Sequence, residues 1–135
     1  MRRTQIALVV VLTAVACRAP SAQSVPASAA SAAQVRHVSG FLKHGLKLAH
    51  AYAAKAQAHQ NATFVAAQVV GQEDRQAVGV WLVSGAADVP GLTLSVNAVA
   101  KVYSDAPDCS QTRAEVSMLD PPAQALYDYV RARLE

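Results

Sequence analysis

The N-terminal segment, a short apolar run after two arginines, differs from the rest of the chain. Arg2 and Arg3 precede an apolar run, Ile6–Ala16, which only Thr13 interrupts. A run of about 11 residues spans roughly 16 Å as a helix, whereas the apolar core of a bilayer is about 30 Å thick. A charged start, a short apolar middle and small residues at the end are typical of a secretory signal peptide. We therefore predict a signal peptide at residues 1–16 and no membrane-spanning helix after it.

Two cleavage products fit the residues at the end of this segment. Ala16 followed by Cys17 resembles a bacterial lipobox, although Ala14 stands where that motif usually has leucine. This alternative predicts lipidation of Cys17 and a lipoprotein anchored to the membrane on the periplasmic or cell-surface side. The other alternative is cleavage by an ordinary signal peptidase after Ala16 or Ala22, which predicts a soluble secreted or periplasmic protein. We favour the lipoprotein.

Residues 17–33 differ in composition from the rest of the chain. They are rich in alanine, serine and proline and contain almost no large apolar side chain. Such a segment cannot bury enough surface to offset the entropy lost on ordering. We predict a flexible tether at 17–33, whose alanine-rich end can join the helix that follows. The remaining residues, 34–135, suffice for a single domain with one modest core.

The charge of the chain argues against a nucleic-acid partner. The formal net charge is only +3 at pH 7, and Arg2 and Arg3 of the signal segment contribute to it. A nucleic-acid interface needs a basic patch with stacking aromatic residues or a recognised motif, and the sequence contains neither. No acidic residue precedes Glu73. The basic first half and the acidic second half are therefore expected to complement each other in the fold.

Residues 34–59 are predicted to form an N-terminal amphipathic helix. Apolar side chains recur there at helical spacing, while Arg36, Lys43 and Lys47 fall on the opposite side. Two glycines within the segment are points at which the helix can break. The basic face predicts contact with an anionic surface such as lipid headgroups, where each basic residue contributes about 1 kcal/mol.

The rest of the domain is predicted to be a small sheet followed by a helix. Asp120 and Pro121 are typical of the start of a C-terminal helix. Short polar connections favour an antiparallel meander of three or four strands. The predicted fold is thus a two-layer α+β domain. Alternating or continuous apolar runs place the strands at 62–70, 76–84 and 92–103, with a short fourth strand at 113–118.

The predicted middle strand, 76–84, is apolar on both faces. One of these faces would remain uncovered in a two-layer domain. A second copy in a homodimer or another partner would cover that face, and the twist of a small sheet is the alternative explanation.

No metal, cofactor or catalytic site is predicted. The four histidines are 7, 6 and 9 residues apart, whereas ligands on one helix need a separation of three or four. Cys109 follows two acidic residues, Asp105 and Asp108, which oppose formation of a reactive thiolate. With Cys17 lipidated, Cys109 is an idle thiol or forms an intermolecular bridge; otherwise a disulfide between the two is open. The sequence leaves enzymatic activity uncertain and favours a non-enzyme.

Four segments of the chain resemble a group of small exported bacterial proteins that have no established activity. The resemblance implies export and a sheet, and it transfers no catalytic residue. Together with the rest of the sequence it predicts a binding or interaction module with an unknown protein or envelope partner. An envelope enzyme or enzyme inhibitor is the alternative. The segments are Phe64–Ala67, Val78–Trp81, Pro90–Val96 and Tyr103–Asp105.

Overall fold

A computed structural model describes residues 27–57, 59, 61–112 and 116–134. Among these residues, five strands form one antiparallel sheet in the order in which they occur along the chain. The predicted signal peptide and Cys17 lie outside the described residues. The elements are β1 (Ser28–Ala29), α1 (Ala32–Ser39), β2 (Lys47–Lys55), β3 (Ala62–Val70), β4 (Val78–Ala86), β5 (Val89–Ser95), α2 (Ala98–Tyr103), a 3₁₀ turn (Cys109–Gln111) and α3 (Pro121–Ala132).

The α+β class and the antiparallel meander are confirmed. β3 has the predicted bounds, and α3 begins at Pro121 after Asp120, as expected. The number of strands differs from the prediction, because β1 and β2 add to the sheet on the side of β3. The short strand predicted at 113–118 is not seen in its described part, since Val116 to Met118 contain no strand; residues 113–115 lie outside the described residues.

The predicted helix over 34–59 is wrong in its second half. The helix α1 ends at Ser39, before Gly40, and Lys47–Lys55 forms β2 instead. β2 pairs with β3 along its length, but the register shifts near His50, whose φ is 51°. This bulge interrupts the alternation of side chains, and the alanine-rich sequence therefore matches a helical period by coincidence.

The folded domain also starts earlier than residue 34. Ser28 and Ala29 pair with β2, and Ser31 caps α1. The C-terminal part of the predicted tether, residues 27–33, is therefore part of the domain. Its small side chains fit here because two residues of backbone pairing and a helix cap need no large apolar groups.

Helices cover both faces of the sheet, so that the domain has three layers rather than two. On one face, Leu126 and Val130 of α3 pack with Phe64 and Val80. On the other face, Val38 of α1 and Ala100 of α2 pack with Trp81 and Val65. The second apolar face of β4 is covered within the chain. The uncovered sheet face that suggested a homodimer is therefore not present in this domain.

One buried hydroxyl on β5 gives a prediction about stability. Thr93 is 1% exposed and its Oγ1 has no hydrogen-bond partner among the described residues. A buried unsatisfied polar group is destabilising, and valine has nearly the same shape. We expect Thr93→Val to raise the free energy of unfolding by about 1 kcal/mol, measured by urea denaturation.

The matched control for this prediction lies two residues away on β5. Ser95 is also buried, but its Oγ lies 3.2 Å from the carbonyl oxygens of Ala106 and Pro107, to which it can donate. Ser95→Ala is therefore expected to lower stability by about 1 kcal/mol. Equal effects of the two substitutions would contradict the assignment of Thr93 as unsatisfied.

Candidate functional site

A groove of about 420 Å³ lies beside the N-terminal end of α1. It is bordered by β1, by the adjoining ends of β2 and β3, and by the turn between β4 and β5. We call it the α1 groove. Its lining residues are Ser28, Ala29, Ser31, Gln34, Ala53, Lys55, Thr63 and Ala87.

Local interactions of Ser31 and Gln34 fix the geometry of this groove. The Ser31 Oγ accepts a hydrogen bond from the Gln34 N–H at 3.0 Å, and the Gln34 Oε1 accepts from the Ser31 N–H at 3.0 Å. This reciprocal pair is a capping box. The Ser31 hydroxyl also donates to the carbonyl oxygen of Ala87 at 2.6 Å. The start of α1 is thereby held against the turn between β4 and β5.

In this arrangement only the oxygen of the Gln34 side-chain amide makes a hydrogen bond. Gln34 is 4% exposed, and its Oε1 accepts the capping hydrogen bond. Its Nε2 donates no hydrogen bond to any described residue. The Nε2 is not sealed from solvent, although the residue as a whole is buried. Because Gln34 lines the α1 groove, this unpartnered donor is open to a ligand there.

Further donors line the α1 groove. Lys55 and Thr63 are directly opposite each other in the pairing of β2 with β3. Lys55 is exposed and makes no ion pair with any described residue. No carboxylate is among the described lining residues. The groove thus combines a cation, an amide donor and hydroxyl groups over alanine side chains.

The structure places the predicted anionic-surface residues on different elements. Arg36 is on α1, Lys43 is in the turn that follows, and Lys47 begins β2. They do not share a helix face, because the helix that would have aligned them ends at Ser39. The basic face predicted for membrane contact is therefore not formed in that way. The predicted lipidation site, Cys17, lies outside the described residues.

Arg36 borders a second, shallower groove of about 400 Å³ between α1 and the β4–β5 hairpin. His37 lies beside it and is held by the hairpin, since its Nε2 is 2.6 Å from the carbonyl oxygen of Gly91. Asp88 supplies a carboxylate to the same groove. Because Arg36 and Asp88 carry opposite charges, the lining of this groove favours neither an anionic nor a cationic ligand.

The histidines do not form a metal site in the described part of the chain. His37 is on α1, His44 is in a turn, His50 is at the bulge of β2, and His59 precedes β3. No group of three potential ligands occurs among the described residues.

The loop around Cys109 is explained by its own hydrogen bonds. Asp108 accepts hydrogen bonds from the Ser110 N–H and Oγ, at 2.9 and 2.8 Å, and caps the 3₁₀ turn. These bonds, with the neighbouring Lys101, lower the pKa of Asp108. The Cys109 thiol lies 3.3 Å from the carbonyl oxygen of Val116, and burial raises its pKa. At neutral pH this thiol is protonated.

A thiol reagent tests this account of Cys109. The residue is 3% exposed, so we expect the native protein to react with a maleimide far more slowly than the protein unfolded in guanidinium chloride. The rate should follow the opening of the domain. Fast labelling of the native protein at Cys109, located by peptide mass spectrometry, would contradict the buried position.

Comparisons with known protein families, with curated proteins and with solved structures find no match to this chain. Among the described residues, no helix has the length and apolar content needed to cross a membrane.

The α1 groove is not among the sites predicted from the sequence, although the sequence contains one signal for it. Ser31 and Gln34 have the spacing of a capping box, in which a serine is followed three residues later by glutamine. This pattern would have placed the start of α1 at Ala32. Lys55 gave no such signal, because it was assigned to a helix.

Proposed function

We propose that this chain is a small exported envelope protein, lipidated at Cys17, whose domain is a binding module for a small ligand. The observation that carries this proposal is the unused Nε2 donor of the buried Gln34, which lines the α1 groove. The signal segment supports export, and the small size of the domain is compatible with a binding role.

The amide of Asn97, a half-buried residue, bonds to described residues through both its oxygen and its nitrogen, unlike that of Gln34. The side chain of Asn97 accepts hydrogen bonds from the Val80 and Ala100 N–H groups and donates to the Val78 carbonyl oxygen. A ligand atom that accepts from the Gln34 Nε2 in the α1 groove would form a hydrogen bond that no described residue makes, with a net contribution of about 0.5–1.5 kcal/mol.

The position of the α1 groove also supports binding. It is open to solvent but framed on three sides by elements of the sheet and by α1, and Ser31 connects two of these elements through its bond to Ala87. A groove fixed by backbone pairing and a helix cap changes little on binding. Little conformational entropy is then lost when a ligand enters.

Nuclear magnetic resonance of the mature protein tests the binding proposal. The probes are N-acetylalanine, N-acetylalaninamide and propionate, each added up to about 50 mM, which detects millimolar affinities. We expect at least one probe to cause saturable shifts of backbone amide signals at Ser31, Gln34 and Thr63. Shifts scattered over the surface, or none from any probe, would refute the proposed site.

The Gln34→Glu variant gives a sharper version of this test. Glutamate keeps the acceptor for the Ser31 N–H and therefore the capping box, but it removes the Nε2 donor. We expect it to abolish the saturable shifts while the variant stays folded. Gln111→Glu is the matched control, because it adds the same charge at an exposed position that does not line the groove.

The proposed export and lipidation have a separate test. Mass spectrometry of the native protein is expected to find a diacylglyceryl-modified Cys17 as its first residue. An unmodified N-terminus after Ala16 or Ala22 would replace the lipoprotein by a soluble exported protein. A molecule that retains Met1 would refute export altogether.

A further inference from the structure

We infer that the ligand of the α1 groove is a small carboxylate, bound through its anionic group by Lys55 and the Gln34 Nε2. This inference rests on the proposed function and adds the chemical class of the ligand. The charge of the groove and its size support this inference, and separate experiments test the role of each.

The charge of the α1 groove favours an anion. Lys55 has no ion pair with any described residue, and the Gln34 Nε2 has no acceptor among them. The groove also adjoins the N-terminal end of α1, whose first turn contains no acidic residue. A helix N-terminus carries a partial positive charge, which here is not offset by a side chain of its own helix. All of these groups would stabilise the same negative charge.

The size and surface of the α1 groove favour a carboxylate with a compact apolar body. Alanine side chains form the apolar part of the lining, at Ala29, Ala53 and Ala87. They provide contacts for a group of methyl size next to the donors. A free short-chain acid and the C-terminal carboxylate of a peptide ending in a small residue share this chemistry. Inorganic phosphate has the charge but no apolar part.

The test compares a carboxylate with its neutral amide on the mature protein. N-acetylalanine and N-acetylalaninamide differ only in the charged group, and both are titrated by the amide signals of the groove. We expect N-acetylalanine to bind at least about tenfold more tightly, since a charge-assisted hydrogen bond contributes more than a neutral one. The difference should shrink in 0.5 M salt, because Lys55 is exposed.

Two lysines at opposite ends of β2 provide a matched pair of variants. Lys55→Met removes the charge at the groove and keeps most of the length of the side chain, and we expect it to weaken N-acetylalanine binding about tenfold. Lys47→Met removes another exposed charge, which does not line the groove, so it should leave binding unchanged. Lys55→Arg should restore most of the affinity.

The outcomes separate this inference from the proposed function. If the amide binds as tightly as the acid and Lys55→Met has no effect, the carboxylate inference fails while the groove remains a binding site. If phosphate competes as well as N-acetylalanine, the compact apolar body is irrelevant and the inference also fails. If no probe reaches the groove, both fail. Among carboxylates, tighter binding of N-acetylalanylalanine than of propionate would assign a peptide C-terminus, and the reverse a free acid; either result supports the inference.

Discussion

Gly79→Ala is expected to destabilise the domain by about 3 kcal/mol, the upper end of what one extra methyl group costs in a packed core. A Cβ atom at position 79 would clash with Cη2 of Trp81 and lie 2.8 Å from Cζ3 of the same ring. Trp81 is 0% exposed, and its Nε1 donates to the Ser104 Oγ at 3.1 Å. The indole ring is fully buried and cannot move aside without straining this bond.

Denaturant unfolding followed by tryptophan fluorescence measures this effect, because Trp81 is the single tryptophan of the chain. Gly40→Ala is the control: its φ is −65° and the nearest atom to a new Cβ is the His37 carbonyl oxygen at 3.4 Å. We expect it to change stability by less than about 1 kcal/mol.

A double-mutant cycle separates the clash from other effects of Gly79→Ala. In a Trp81→Leu background the indole is absent, so the same alanine should cost much less. The coupling between the two positions should then be about 1–3 kcal/mol. Simple additivity of the two substitutions would show that the contact with Trp81 is not the cause.

The parts of the fold that could be predicted from the sequence are those with strong local signals. β3 was placed correctly because its bounds coincide with an apolar run between polar turns. α3 was placed correctly because Asp120 and Pro121 are characteristic residues for the start of a helix. Both signals lie within a few residues of the elements that they define.

β2 could not be predicted in the same way. Its sequence is rich in alanine, which is favourable in helices, and the bulge at His50 shifts its register against β3. Its identity as a strand depends on pairing with β3, which is a tertiary interaction. The error had a consequence for the site, because it placed Lys55 on a helix with Lys47 rather than in the α1 groove opposite Thr63.

The second half of the predicted third strand was wrong for a different reason. Residues 92–103 alternate between apolar and polar side chains, but the strand β5 ends at Ser95 and α2 begins at Ala98. Asn97 causes the change, because its side chain replaces the backbone in pairing with β4. The Oδ1 accepts from the Val80 N–H at 2.9 Å, and the Nδ2 donates to the Val78 carbonyl oxygen at 2.8 Å.

The same side chain also caps α2, and its removal is therefore expected to be costly. The Oδ1 of Asn97 accepts from the Ala100 N–H at 3.0 Å. Loss of a helix cap costs about 1 kcal/mol, and each of the two bonds to β4 contributes about 1 kcal/mol. We expect Asn97→Ala to lower the free energy of unfolding by about 3 kcal/mol, measured by urea denaturation.

Asn97→Ser divides this effect into its two parts. Serine is a good helix cap, but its hydroxyl is too short to reach the backbone of β4 while it caps the Ala100 N–H. We expect the serine variant to recover about 1 kcal/mol relative to alanine and to leave the rest of the loss. Amide hydrogen exchange at Val80 should be accelerated equally in both variants, because neither supplies an acceptor to its N–H. Full stability in the serine variant would mean that the bonds to β4 contribute nothing, and that Asn97 acts only as the cap of α2.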